Sequence, residues 1–212
     1  MSARVGMLDD VAAERLGLAD DLADLTPDAW STPSLCPGWT VHDVVAHLTL
    51  STRQSVPWTL WRVARAGGDL ERAFADMARE RAAAFRPAEL LVQLREMAGV
   101  DRRLAMSGEL DPLNDLLVHS QDIAIPLGRR RDLPVERALP CLRHVWAAPC
   151  VGAAKRFAGL RLRASDADWS AGEGPEVCGP VGALLLAANG RVAGLGACDG
   201  DGLATARGRF AS

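Results

Sequence analysis

The sequence has no Cys-x-x-Cys pair, and its five cysteines (Cys36, Cys141, Cys150, Cys178, Cys198) are scattered and odd in number. A zinc ribbon or finger needs closely paired thiolates, so that class is excluded. The cysteines read instead as reduced, small and mostly buried. No apolar run reaches the roughly 18 residues of a spanning helix, and Met1-Ser-Ala-Arg-Val-Gly6 lacks the core of a signal peptide. The expectation is therefore a soluble, cytoplasmic protein with no membrane partner. Charge of one sign is also scarce: the net charge is -3 over 212 residues. That is too close to neutral for a polyanion-binding surface, so nucleic acid is not an expected partner. The one brief basic cluster, Arg129-Arg130-Arg131, has Asp132 beside it and reads as a solvated loop. No Gly-Lys-Ser/Thr follows a glycine-rich stretch, and no Gly-x-Ser-x-Gly occurs. A phosphate loop and a nucleophile elbow are excluded with them. Tyrosine is absent too, which carries no functional reading.

Hydrophobic residues make up 49% of the chain, enough for a sizeable core. Apolar positions from Met7 to Leu25 (Leu8, Val11, Ala12, Leu16, Leu18, Leu22, Leu25) recur at helical period, and Pro27 ends the pattern ahead of a loop. The turn-rich stretch Ser31 to Gly38 is expected to be irregular. Thr40 with Asp43 forms a capping box for a helix running from Val41 past Leu50. Further helices are expected over Trp58–Ala66, Leu70–Phe85 behind an Asp69 cap, and Pro87 to about Met106. Asp111-Pro112 opens another, which reaches about Ile125, and Pro134 opens one through Trp146. After Gly159 the texture changes. Leu160–Ala164 alternates as a strand, Gly172-Glu-Gly-Pro175 is a turn, Val181–Ala188 is an apolar helix and Arg191–Leu195 is a further strand. The expected architecture is mainly α: a helical bundle over residues 1–158, followed by a small α+β domain over 159–212.

The chemistry concentrates in Asp115-Leu-Leu-Val-His119, because positions i and i+4 share one helix face. His47 lies on a second apolar helix between Ala46 and Leu48. Two imidazoles and one carboxylate would give three protein ligands to a divalent metal with a position left open. An imidazole on an apolar helix is also what a hydrogen-bonded core histidine looks like, and Asp-x-x-x-His is also what a surface pair looks like. Asp122, three residues beyond His119, is either the carboxylate ligand or a partner orienting the ring. His42 reads as solvent-exposed and His144 as structural; Cys36, in the loop before the His47 helix, reads as a buried structural thiol, with an approach to the site as the alternative. Trp39, Trp58 and Trp61 read as core or pocket residues.

The stretch Pro33-Ser-Leu-Cys-Pro-Gly-Trp-Thr-Val-His-Asp-Val-Val-Ala-His47-Leu48 resembles the start of the mycothiol-dependent maleylpyruvate isomerase family, within the DinB-like superfamily. So does Asp115-Leu-Leu-Val-His-Ser-Gln-Asp122-Ile, with Pro126-Leu-Gly128 after it. Gly172 to Pro180 and Leu184 to Arg191 resemble that family's C-terminal domain, which is similar to sterol carrier protein type 2 folds. The resemblance implies a DinB-like four-helix-type bundle holding zinc or another divalent metal on His47, Asp115 and His119. The isomerase has a glutamate where this chain has the shorter Asp115. It further implies that mycothiol, a low-molecular-weight thiol, binds the metal as thiolate and adds to the conjugated double bond of maleylpyruvate. After rotation it leaves as fumarylpyruvate forms, and relatives are thiol S-transferases. An arginine of the C-terminal domain would bind the acidic substrate, for which Arg191 and Arg161 are the candidates. The expected function is thus a metal- and thiol-dependent isomerase or S-transferase acting on a small electrophile. The alternative is a non-catalytic metal-binding regulatory or small-ligand-binding protein.

Overall fold

A computed structural model describes residues 2–102, 107–149 and 151–210. The chain divides into two compact units, residues 1–131 and 132–212. The sequence placed this boundary near residue 158. It falls earlier because α8 (Val135–Ala147) packs against α10 (Val181–Ala188) within the second unit.

In the first unit, α1 (Ser2–Asp21), α6 (Pro87–Glu96), α3 (Val41–Leu48) and α7 (Asp111–Ala124) pack in a closed ring. This is the expected four-helix arrangement. The α5 helix (Leu70–Ala84) lies against α3, and α4 (Val56–Arg65) against α5. Val41, Val44, Val45, Ala46, Leu90, Leu94, Leu113 and Leu117 are at most 2% exposed and form the centre of the bundle. Leu16, expected in the α1 core, is exposed, whereas Glu14 and Arg15 are buried. Arg15 Nη1 donates to the carbonyls of Met97 (2.7 Å) and Ala98 (3.2 Å), so a buried cation satisfies groups at the C-terminal end of α6.

Several boundaries differ from the sequence reading for local reasons. Pro27–Trp30 is a short helix, α2, with Thr26 as its cap and proline in its first turn, where a loop was expected. The α3 helix stops at Leu48 because hydroxyls compete for its last carbonyls: Thr49 Oγ1 donates to Ala46 O (2.8 Å) and Ser51 Oγ to Leu48 O (3.1 Å). Helix α6 ends at Glu96, well before the expected Met106, which lies outside the described residues. Helix α7 begins at Asp111 itself, with Leu110 as cap. Asp69 caps α5 as expected, accepting from Arg72 N at 3.0 Å.

In the second unit, β1 (Arg161–Ala164) pairs antiparallel with β2 (Ser170–Gly172) and parallel with β3 (Glu176–Gly179). The α10 helix is apolar on every side and is covered by α8 and by a 3-10 helix, Val192–Ala197. That 3-10 helix replaces the strand expected at Arg191–Leu195. A short α9 (Ala153–Arg156) precedes the sheet, and α11 (Leu203–Gly208) occupies what read as a tail. Cys36, Cys141, Cys178 and Cys198 are buried, and Cys150 lies outside the described residues.

The turn at Gly172-Glu-Gly-Pro175 needs its glycines. Gly174 has φ +123°, and a Cβ there would sit 2.3 Å from Gly159 O. Gly174→Ala is expected to destabilise the second unit by about 3 kcal/mol or more. Gly196→Ala, where a Cβ would meet nothing within 4 Å, serves as control. Urea unfolding of both variants checks this, and equal midpoints would refute it.

Candidate metal centre

The segment before α3 positions most of the site. Thr40 and Asp43 make the full capping box: Thr40 N donates to Asp43 Oδ2 (2.9 Å) and Asp43 N to Thr40 Oγ1 (3.2 Å). Upstream, Pro33 bridges to Thr40, and Leu35 N donates to the carbonyl of Asp122 (3.1 Å), tying this loop to α7. The capping box fixes where α3 begins, and hence which of its residues face α7. His47, in the last turn, is among them.

On α7 the i,i+4 spacing brings Asp115 and His119 together, with Asp115 Oδ1 3.3 Å from His119 Nε2. The same Oδ1 is 3.7 Å from His47 Nε2. These three donors lie within 4.8 Å of one another. Asp122 does not join them. Its Oδ2 instead meets the far nitrogen of the His119 ring, Nδ1, at 2.8 Å. An ionised carboxylate only accepts, so Nδ1 carries a proton and donates to Asp122, which leaves Nε2 as the ring nitrogen turned to the cluster. Cys36 Sγ lies 3.1 Å from the same Asp122 oxygen and 3.6 Å from His119 Nδ1. Asp122 is 0% exposed, so these donors meet it inside the protein.

Trp39 supplies the wall. Its ring is nearly parallel to that of His119 (centroids 6.3 Å apart, 11° between planes) and 5.2 Å from that of His47. Phe74 meets His47 edge-on at 5.8 Å. An open cleft of about 270 Å³ exposes His47 and Asp115, and Ser51, Gln54, Phe74, Arg102 and Pro112 also line it.

Two histidines therefore stand in unlike surroundings. His119 has a buried anionic partner behind it, whereas His47 Nδ1 is buried without a hydrogen-bond partner. The electrostatics follow. Burial works against charge on His119, but Asp115, Asp122 and Cys36 outweigh it and hold the imidazole well above its ordinary value. Burial would likewise raise the Asp115 carboxyl, yet His119 and His47 keep it well below the usual carboxylate range.

Other expectations resolve differently. Trp58 and Trp61 are exposed on α4 and line neither core nor cleft; Arg62 and Arg65 stack over them at 5.6 and 4.9 Å. His42 is half-buried, its Nε2 donating to Phe85 O at 3.0 Å, rather than exposed. Arg191 belongs to the second unit and donates to Asn189 O (2.8 Å). Arg161, in the same unit, reaches Ser170 Oγ at 3.3 Å. Cys36 and Trp39, which the sequence offers as a thiol able to approach the site and as a core or pocket residue, both lie in the turn that leads into α3 and both contact the cluster.

Fold and cluster together define a class: a helical bundle with a histidine–carboxylate centre shared between two core helices. Residues 11–115 match the mycothiol maleylpyruvate isomerase N-terminal domain, and through that domain the chain belongs to the mycothiol maleylpyruvate isomerase family. The match takes in His47 and ends at Asp115, so His119, Asp122 and the second unit lie beyond it. No curated protein and no solved structure matches the chain. No helix among the described residues is long and apolar enough to cross a membrane.

Proposed function

We propose that this protein is a divalent-metal-dependent, thiol-dependent enzyme, an isomerase or S-transferase, with His47, Asp115 and His119 as the metal ligands. The observation that carries the reading is the convergence of His47 Nε2, Asp115 Oδ1 and His119 Nε2 at the edge of an open cleft. A tetrahedral ion with bonds of 2.0–2.2 Å sets its ligand atoms about 3.3–3.6 Å apart. The separations from Asp115 Oδ1, 3.3 and 3.7 Å, fit that spacing. Two imidazole nitrogens and one carboxylate oxygen suit zinc, and three protein ligands leave a position for sulfur.

When bound, the metal would supply the positive charge that strips a coordinating thiol of its proton, giving the nucleophilic thiolate. The rest is done by the chain. Asp122 holds His119 in the tautomer whose Nε2 faces the centre, the role of an orienting carboxylate rather than a ligand. Trp39 packs against both imidazoles and excludes water from that side. Phe74 and Pro112 offer the electrophile apolar contact, and Arg102 a counter-charge. Arg191 and Arg161 are the cations that the family resemblance offers for an acidic substrate. The thiol is mycothiol or another low-molecular-weight thiol, and the setting is the cytoplasm. In the isomerisation, a C–S bond forms on one alkene carbon, the remaining single bond rotates, and the C–S bond breaks as the double bond returns. The thiol is recovered and nothing is oxidised.

Metal analysis followed by calorimetry tests this. The expected result is one metal per chain, and a titrated thiol that binds with release of a proton only when the metal is present. Folded protein that takes up no zinc or cobalt would remove the proposal, and heat of thiol binding unchanged by chelation would remove its catalytic part.

A further inference from the structure

The Cys36 thiol has no place in the chemistry above, yet it sits on the far side of His119, against the carboxylate that orients it. Its sulfur is 3.1 Å from Asp122 Oδ2, the atom that also accepts from His119 Nδ1 at 2.8 Å. At 3.6 Å from Nδ1, which already carries its own proton, the thiol has no acceptor there, so its S–H is directed at the carboxylate. The backbone reinforces this approach: Leu35 N donates to Asp122 O (3.1 Å), and Cys36 N to Ser34 Oγ (3.2 Å), which in turn donates to Trp39 O (2.9 Å). Cys36 is 8% exposed and Asp122 0%, so each donor on that oxygen acts without competition from bulk water.

We infer that Cys36 is a positioning residue of the centre: its thiol donates to Asp122 Oδ2 and so fixes the carboxylate that aims His119 Nε2 at Asp115. The inference rests on the metal reading for its consequence but not for its geometry. With donors on two sides, Oδ2 cannot turn about the Cβ–Cγ bond without losing one of them. Losing the thiol takes away one of the two hydrogen bonds on Oδ2, and with it part of what fixes the bearing of the ring. The loop carrying Cys36 thereby couples to the metal through two hydrogen bonds in series, without the sulfur being a ligand.

A packing role and a donor role make opposite predictions for two variants. Valine matches the apolar character of cysteine and donates nothing, whereas serine keeps an O–H and is less apolar. The probe is Co²⁺ added to the purified full chain, read by affinity and by its visible ligand-field bands. Cys36→Val is expected to weaken Co²⁺ binding roughly 3–10-fold and shift the bands, less than the ~10–100-fold typical of losing an orienting partner such as Asp122 outright. Cys36→Ser is expected to restore both to near the parent. Should serine prove no better than valine, or valine match the parent, the inference is overturned. A second readout does not need the metal: in the chelated protein, the His119 Nδ1–H signal in NMR is expected to exchange with water faster in Cys36→Val and at the parent rate in Cys36→Ser. If the parent binds no Co²⁺ while the NMR ordering holds, the metal reading fails and the positioning role stands. Identical exchange in all three proteins would end the positioning role instead.

Discussion

Replacing His119 with alanine is expected to yield protein without bound metal and with a lower melting temperature. The two effects have separate causes in one ring. Through Nε2, His119 faces Asp115 at 3.3 Å, and its loss leaves two of the three proposed ligands. Affinity should fall by more than the ~10–100-fold that removing an outer partner costs, because a direct bond to the ion is lost. Through Nδ1, His119 also supports the fully buried Asp122, and a buried carboxylate deprived of a donor is costly. His47→Ala separates the two effects. Its Nδ1 has no hydrogen-bond partner, and Asp115, which faces its Nε2, keeps the closer His119, so its removal leaves no buried carboxylate without a donor. That variant should lose the metal with much less effect on melting. Metal content by emission spectroscopy and melts of chelated protein read both outcomes. Parental metal content in either variant would exclude that histidine as a ligand.

Metal binding is expected to strengthen steeply with pH through neutrality. In the metal-free centre, Asp115, Asp122 and Cys36 hold the proton on His119 well above the ordinary imidazole range, against the opposing pull of burial. A cation bound at Nε2 must displace that proton, so below the raised value each pH unit costs about a factor of ten in apparent affinity. The metal-free fold responds in the opposite sense. A raised histidine stabilises the folded state fully below its unfolded value near 6.5, and this contribution is lost as pH rises through the folded value. Asp115, held low, stabilises above its unfolded value near 3.9, and that contribution is lost as pH falls through the folded value. Chelated protein should therefore be best supported by this pair between about pH 4 and 6.5, while metal affinity is still climbing above that window. Co²⁺ isotherms at three pH values, with melts of chelated protein alongside, check both signs. A flat affinity profile would mean that His119 carries no proton to displace.

Local signals were sufficient for much of this protein. The Thr40–Asp43 capping box, the Asp69 cap and the alternation at Arg161–Ala164 each specify an element through neighbours in sequence, and each is present. Asp115 and His119 were legible as a pair because helical spacing alone brings four-apart residues to one face. Local signals misled where long-range burial chose otherwise. Arg191–Leu195 alternates like a strand, yet Gly194 must pack against α10, where even a Cβ would meet Ala183 O at 2.3 Å, and the segment winds into a 3-10 helix. Trp58 and Trp61 read as core or pocket residues, and lie exposed on a helix that packs against α5.

The sequence by itself determined the main helices of the bundle, the i,i+4 pair and the likeness of the Pro33–Leu48 stretch to a known family, since all three depend on residues close together along the chain. Only the tertiary structure decided that His47 meets that pair, that Asp122 stands behind His119 rather than beside Asp115, and that Cys36 joins them. The contacts of His47 and Cys36 span 68 to 86 residues of sequence, where no periodicity reaches, and Asp122, three residues from His119, fits either role by spacing alone. They are set by how α3 and the loop before it dock onto α7, which buried apolar area and a few backbone hydrogen bonds determine together.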